Sequence, residues 1–257
     1  MSSATRRVVM RTLIVLSVMA SACGSSVGSG MFRKQYEYEE EIYLSLDGTA
    51  TVNVNASVAA LDALRGATFN VDPRARLDRG DVRAFFRGPG ARVTRVSLSR
   101  RHGRRFVHVG VDVDDIRRLP QLAPFAWSKY QLDRDGELVT FRQIVGAPTS
   151  TPVADVGWTG GEFVAFRLHV PSRIPSHNSP TGVQRGNILA WEQPLRDRVG
   201  GVPLDLQVQM EPQSILYSTL LLFAATIIAA AATFGVVIWW VARKGRTHRA
   251  EMAGSRP

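Results

Sequence analysis

The sequence predicts an α+β domain built on an antiparallel sheet, open or barrel-like, with short helices and one C-terminal transmembrane helix. Three observations carry this prediction. Apolar residues alternate at period two in successive pairs of segments joined by turn residues, the pattern of β-hairpins. Helix signals between them are few and short. No charged residue lies between Glu211 and Arg243, and the stretch from Ile215 to Val241 is dominated by Leu, Ile, Ala, Val and Phe.

Residues 1–22 read as an export signal. Arg6, Arg7 and Arg11 flank or precede the apolar run Thr12 to Ala20, which is too short to span a bilayer comfortably and is followed by small residues. Two processing routes fit. Ser21-Ala22-Cys23 ahead of a Gly/Ser-rich tether, residues 23–31, matches a lipobox, which would make Cys23 an acylated N-terminus, although Ala20 stands where lipoboxes usually carry Leu. Ala20-Ser21-Ala22 equally fits ordinary signal peptidase, which leaves Cys23 unmodified. Thr5-Arg6-Arg7 fits a twin-arginine export motif as well as a plain basic start. Cys23 is the one cysteine, so the domain expected over residues 32–211 contains no disulfide and depends on packing.

That domain begins with a hairpin. Tyr36, Tyr38, Ile42, Leu44 and Leu46 are expected on one face and Glu37, Glu39 and Glu41 on the other, before Asp47-Gly48 turns the chain into Ala50, Val52 and Val54. Ser57 can cap a short helix to Leu64, ended by Gly66, and Asp78 or Asp81 can start another to Phe86. A second hairpin runs from Arg92 to Arg100 and from Arg104 to Val113, with a turn at His102-Gly103. Asp114 or Asp115 then opens a helical turn that Pro120 limits. Trp127 to Leu132 and Glu137 to Ile144 flank the turn Asp133 to Gly136, and a Gly/Pro/Thr-rich loop follows to Gly161. Further strands are expected over residues 163–170, 187–192 and 203–211.

The span over 215–241 is long enough for a hydrocarbon layer of roughly 30 Å, even when tilted. Trp239 and Trp240 adjoin Arg243, Lys244 and Arg246, an aromatic belt followed by positive residues, which places the basic tail 242–257 in the cytoplasm and the domain outside. Only Pro212, Gln213 and Ser214 separate the last strand from the span, so that end of the domain is held within about 10 Å of the lipid headgroups.

The formal charge of +10 does not signal a nucleic-acid partner. Residues 31–211 hold 24 Lys and Arg against 21 Asp and Glu, so most of the excess is terminal and reports topology. Within the domain the unusual feature is an arginine run, Arg83 to Arg105, with no acid between Asp81 and Asp112. Arg100, Arg101, Arg104 and Arg105 would crowd a hairpin tip, where guanidinium groups can bind lipid phosphate or a carboxylate, or simply stay solvated or pair with Glu37, Glu39, Glu40 and Glu41.

The ordering of a signal with a cysteine, a hairpin turning at Leu46-Asp47-Gly48-Thr49, the segment Pro171 to Asn178, Gly186-Asn187-Ile-Leu-Ala-Trp191-Glu192 and a C-terminal span resembles the LppM-type domain of bacterial envelope lipoproteins, over most of residues 23–243. The resemblance implies binding of lipids or glycolipids in a cavity under the sheet. It carries over no individual site residue.

Other candidate chemistry is thin. Asp133-Arg134-Asp135-Gly136 starts like a calcium loop but lacks the later oxygen ligands. Asp112, Asp114 and Asp115 suit a strand end and a helix cap. His102, His108, His169 and His177 show no zinc-type spacing, and no nucleophile elbow, phosphate loop or dinucleotide fingerprint is present. No catalytic, cofactor or metal residue is therefore expected. The function expected is a membrane-anchored, non-enzymatic module that binds a lipid, glycolipid or other envelope component close to the bilayer; the alternative is a scaffold subunit for another envelope protein.

Overall fold

The computed structural model describes residues 34–148 and 156–253; the signal, Cys23, its tether and the last four residues lie outside the described residues. β1 (Gln35–Leu44) and β2 (Ala50–Ser57) form the first hairpin, with Tyr38 opposite Ala56 and Ile42 opposite Val52. Gly48 takes a φ of 95° at its turn, and the Asp47 carboxylate accepts from the Thr49 N–H and hydroxyl. α1 (Val58–Arg65) follows at once because Ser57 Oγ accepts from the Ala60 N–H at 3.1 Å, and Gly66, at φ 67°, ends it with its own N–H on Asp62 O. α2 (Arg79–Phe85) is capped by Asp78, the first of the two candidates.

β3 (Ala91–Arg101) and β4 (Arg104–Val113) make the second hairpin. A 3-10 turn over Ile116–Gln121, capped by Asp115, and a second over Ala123–Phe125 lead into β5 (Ser128–Asp135) and β6 (Leu138–Val145). Then come β7 (Glu162–His169), the two-residue β8 (Ser176–His177), β9 (Ile188–Pro194), α3 (Leu195–Val199), β10 (Leu204–Met210) and α4 (Ile215–Ala253). β8 and α3 have no periodic signal of their own in the sequence.

The strands form two sheets, ordered β3-β4-β2-β1-β7-β9 and β5-β6-β10-β8, and neither closes into a barrel. Every pairing between these strands is antiparallel except β1 with β7, which run parallel. Alternation in a sequence says which residues share a face, not which strand lies alongside, so this pair could not be read in advance.

The apolar faces of both sheets and the buried face of α1 belong to one contiguous core. Val52, Val54, Val107, Val109, Val111, Val164, Phe166 and Leu168 come from the first sheet, Phe141, Val145, Leu206 and Val208 from the second, and Leu61 and Leu64 from α1. Each such side chain contributes about 1.5–3 kcal/mol on burial. In β1 the expected face is altered by a bulge between Tyr36 and Tyr38. The bulge turns Tyr36 to the outer face, where its hydroxyl donates to Glu192 at 2.6 Å, and it leaves Glu37 buried.

The register defines two ends of the six-stranded sheet. Gln35, Ser57, the His102-Gly103 turn and Glu162 lie at one; Leu44, Ala50, Val113 and His169 lie at the other, about 30 Å away along a strand of this length. α4 attaches at the second end. The Ile215 N–H donates to Pro171 O at 3.0 Å, the Glu211 N–H donates to Arg173 O at 3.0 Å, and Ser172 bridges Ser214. Over Ile215–Trp240 the helix has a mean hydropathy of 2.5 and buries none of its surface against the domain, so it is long and apolar enough to cross a membrane.

Candidate ligand cleft beside the arginine hairpin

The four arginines of the β3–β4 tip do not share one environment. Arg105 is buried, and its guanidinium donates to the carbonyl oxygens of Ala75, at 2.8 Å, and Asn70. It thereby pins the loop between α1 and α2 beneath the hairpin. Arg104 turns the other way, to Glu37 at 3.3 Å, Glu162 at 3.8 Å and the Gly157 carbonyl at 3.2 Å. Burial raises the Glu162 carboxyl, but the N–H groups of Thr159 and Gly160 and the Thr159 hydroxyl outweigh it and hold the group below its ordinary value. Arg100 and Arg101 are exposed, and Arg101 lies over the Phe106 ring at 5.4 Å.

The pinned loop and the edge of β3 enclose a cleft of about 450 Å³ lined by Ala75, Arg76, Leu77, Leu98, Ser99, Arg100, Arg105 and Phe106. Of its lining residues, Leu77 and Leu98 offer apolar surface and the exposed Arg76 and Arg100 offer charge. An anionic amphiphile meets both demands: the apolar part leaves water and the charge finds donors. Among the candidate residues, Arg100 and Arg105 line the cleft, Arg101 lies over Phe106 outside its lining, and Arg104 belongs with the buried carboxylates Glu37 and Glu162.

A second polar cluster sits under the sheet, and its one trace in the sequence is Glu40 at an inward position between Tyr38 and Ile42. Arg65 Nη2 donates to Glu40 Oε2 at 2.7 Å and to the Tyr38 hydroxyl, while Tyr130 and Gln143 donate to Glu40 Oε1, each at 2.8 Å. The Arg65 guanidinium stacks 3.3 Å from the Trp127 ring centroid and 4.4 Å from that of Tyr38. Burial pushes both tyrosine hydroxyls well above their ordinary value, so they act as donors to the carboxylate. Arg198, also buried, lies 5.3 Å from Trp127, and burial with the nearby Arg65 charge lowers it to about 10. The space under the sheet is thus occupied by Tyr38, Trp127, Phe166 and an ion pair.

The histidines are scattered. His169 sits 2.7 Å from Glu41 and stacks on Tyr43, whereas His102 occupies the hairpin tip and His177 the short β8. Among the described residues no group of three His, Cys, Asp or Glu could hold a metal ion. His108 contacts Ser99 and Asn55, at 2.7 and 2.8 Å.

No family model matches the chain. No curated protein matches it either. Among solved structures the chain is similar to the folded domain of LppM from Mycobacterium tuberculosis, determined by NMR, with a TM-score of 0.40 and 16% identity, covering 72% of this chain and 95% of that one. It is the domain that the sequence motifs resemble.

Proposed function

We propose that the chain is a membrane-anchored module of the cell envelope that binds an anionic lipid or glycolipid in the cleft beside the arginine hairpin. The observation that carries this reading is the cleft itself, about 450 Å³ and lined by both apolar residues and arginines. α4 supplies the anchor, with the domain outside and the basic tail inside. The cleft lies at the end of the sheet opposite α4. Its ligand is therefore held about 30 Å along the sheet from the start of α4.

Native mass spectrometry of the full chain in nanodiscs tests this. With an anionic phospholipid added, wild type is expected to retain one lipid per chain, Arg76→Glu with Arg100→Glu to lose it, and Arg92→Glu with Arg173→Glu, at the opposite end, to keep it. Equal retention in both variants, or none in a folded wild type, contradicts the reading.

A further inference from the structure

Two hollows share Arg105. One is the cleft. The other, of about 220 Å³, lies at the start of α1 and draws most of its lining from Val58, Ala59, Val71, Pro73 and Val156. Successive stretches of one loop line the two, residues 71–73 the second hollow and residues 75–77 the cleft. Strand alternation puts Leu98, Arg100 and Arg105 on one face of the β3–β4 hairpin, with Arg105 directly opposite Arg100. An apolar hollow of about 150 Å³ is enough to hold a benzene-sized group, so each of the two has room for a length of hydrocarbon.

The arginine common to both is a buried cation that makes no ion pair among the described residues. Its hydrogen-bond partners are the neutral carbonyl groups of Asn70 and Ala75, and its Nε–H has none. Arg104, the other guanidinium of the second hollow, is already paired with Glu37 and Glu162. Burial, and then the charge of Arg100, lower the Arg105 guanidinium from its ordinary value, against a smaller opposing effect of the exposed Asp72. A cation in such a place is destabilising until an anion offsets it, and an oxyanion bonds a guanidinium more strongly than a neutral carbonyl does.

We propose that the hollow at the start of α1 is a second chain subsite of the cleft and that Arg105, between the two, holds the phosphate of a two-chain phospholipid. The inference rests on the cleft being the ligand site and names the class of its ligand. Arg76 and Arg100, exposed on the cleft lining, attract the anion. Its phosphate takes the Arg105 guanidinium from the Asn70 and Ala75 carbonyl groups, which releases the loop that Arg105 pins. One acyl chain then lies against Leu77 and Leu98, the other against Val58 and Val71. A one-chain lipid leaves one hollow unfilled, and a lipid without phosphate leaves Arg105 uncompensated, so each binds more weakly.

The test is native mass spectrometry of the full chain in detergent micelles with three probes of matched acyl chain: dioleoylphosphatidylglycerol, its one-chain lyso form, and dioleoylglycerol. Wild type is expected to bind the two-chain phospholipid about 10-fold or more tightly than either of the others, the advantage over the lyso form corresponding to only two or so further methylene groups buried. Ala59→Phe, which fills the second hollow, should bring the two-chain lipid down to the affinity of the lyso form and leave the lyso form unchanged. Equal binding of the two-chain and lyso forms by wild type, equal binding of dioleoylglycerol, or a folded Ala59→Phe that keeps the two-chain advantage overturns the proposal. The first two comparisons use wild type alone, so they decide the matter even where Ala59→Phe does not fold. Arg76→Glu with Arg100→Glu separates the two failures: binding that this variant loses, without preference for two chains or phosphate, removes the second subsite and keeps the cleft, whereas no lipid on a folded wild type removes the cleft reading beneath it.

Discussion

The two ends of the six-stranded sheet use the same residue, arginine, in opposite ways. At the end away from α4 Arg105, and beneath the sheet Arg65 and Arg198, are inside the protein, held by carbonyl oxygens, by a carboxylate and by the Trp127 ring. At the end that carries α4, Arg92, Arg117 and Arg173 stand at the surface beside Asp112, Asp115 and Glu211. Charge taken out of water has to be compensated by fixed partners, and those partners order the chain around it; charge left in water orders little. Arg105 therefore shapes the cleft, Arg65 and Arg198 order the core beneath the sheet, and the exposed arginines set surface charge near α4.

Substitutions at the two ends should separate accordingly. The largest effect is expected for Arg65→Ala, which strands Glu40 in the core with only neutral donors and should cost about 3–5 kcal/mol in urea unfolding; a loss under 1 kcal/mol would show that the pair is dispensable. Arg105→Ala releases the carbonyl groups of Asn70 and Ala75 and should cost about 2–3 kcal/mol while opening residues 70–77 to limited proteolysis. Unchanged protection of that loop would mean that something other than Arg105 holds it.

A smaller, pH-dependent difference is expected at His108. Its folded pKa lies below the unfolded value of about 6.5, so its contribution is fully present above that pH and is lost as pH falls through the folded value, when the unfolded chain takes up the proton first. His108→Asn should flatten the stability curve below pH 6.5 relative to wild type, and parallel curves would refute the assignment. The smallest effect belongs to the end that carries α4: Arg92→Ala breaks only an exposed pair with Asp112 and should change stability by under about 1 kcal/mol.

Much of this fold was legible because strand faces and helix caps are local properties. The valines at 107, 109, 111 and 113 announce their strand, and Ser57 and Gly66 bracket α1, through interactions that span a few residues. Partner choice is not local. The parallel pairing of β1 with β7 joins segments more than 120 residues apart, and the bulge that moved Tyr36 outward is set by that pairing. The arginine run was visible as a cluster, yet its division depends on which carbonyl and carboxylate groups the loops bring to each guanidinium. Ser99, His108 and Asn55 form no linear motif at all, because strand register assembles them across three strands.

The claim that ligand binding occurs at the end remote from α4 is tested most directly by photo-crosslinking. The full chain, reconstituted in nanodiscs with an anionic lipid bearing a diazirine in its acyl chain, would be irradiated and its domain adducts mapped by mass spectrometry. Adducts at Leu77 and Leu98 are the predicted result. Domain adducts confined to the turn at 135–138, beside the start of α4, would contradict it and place lipid contact at the α4 end instead.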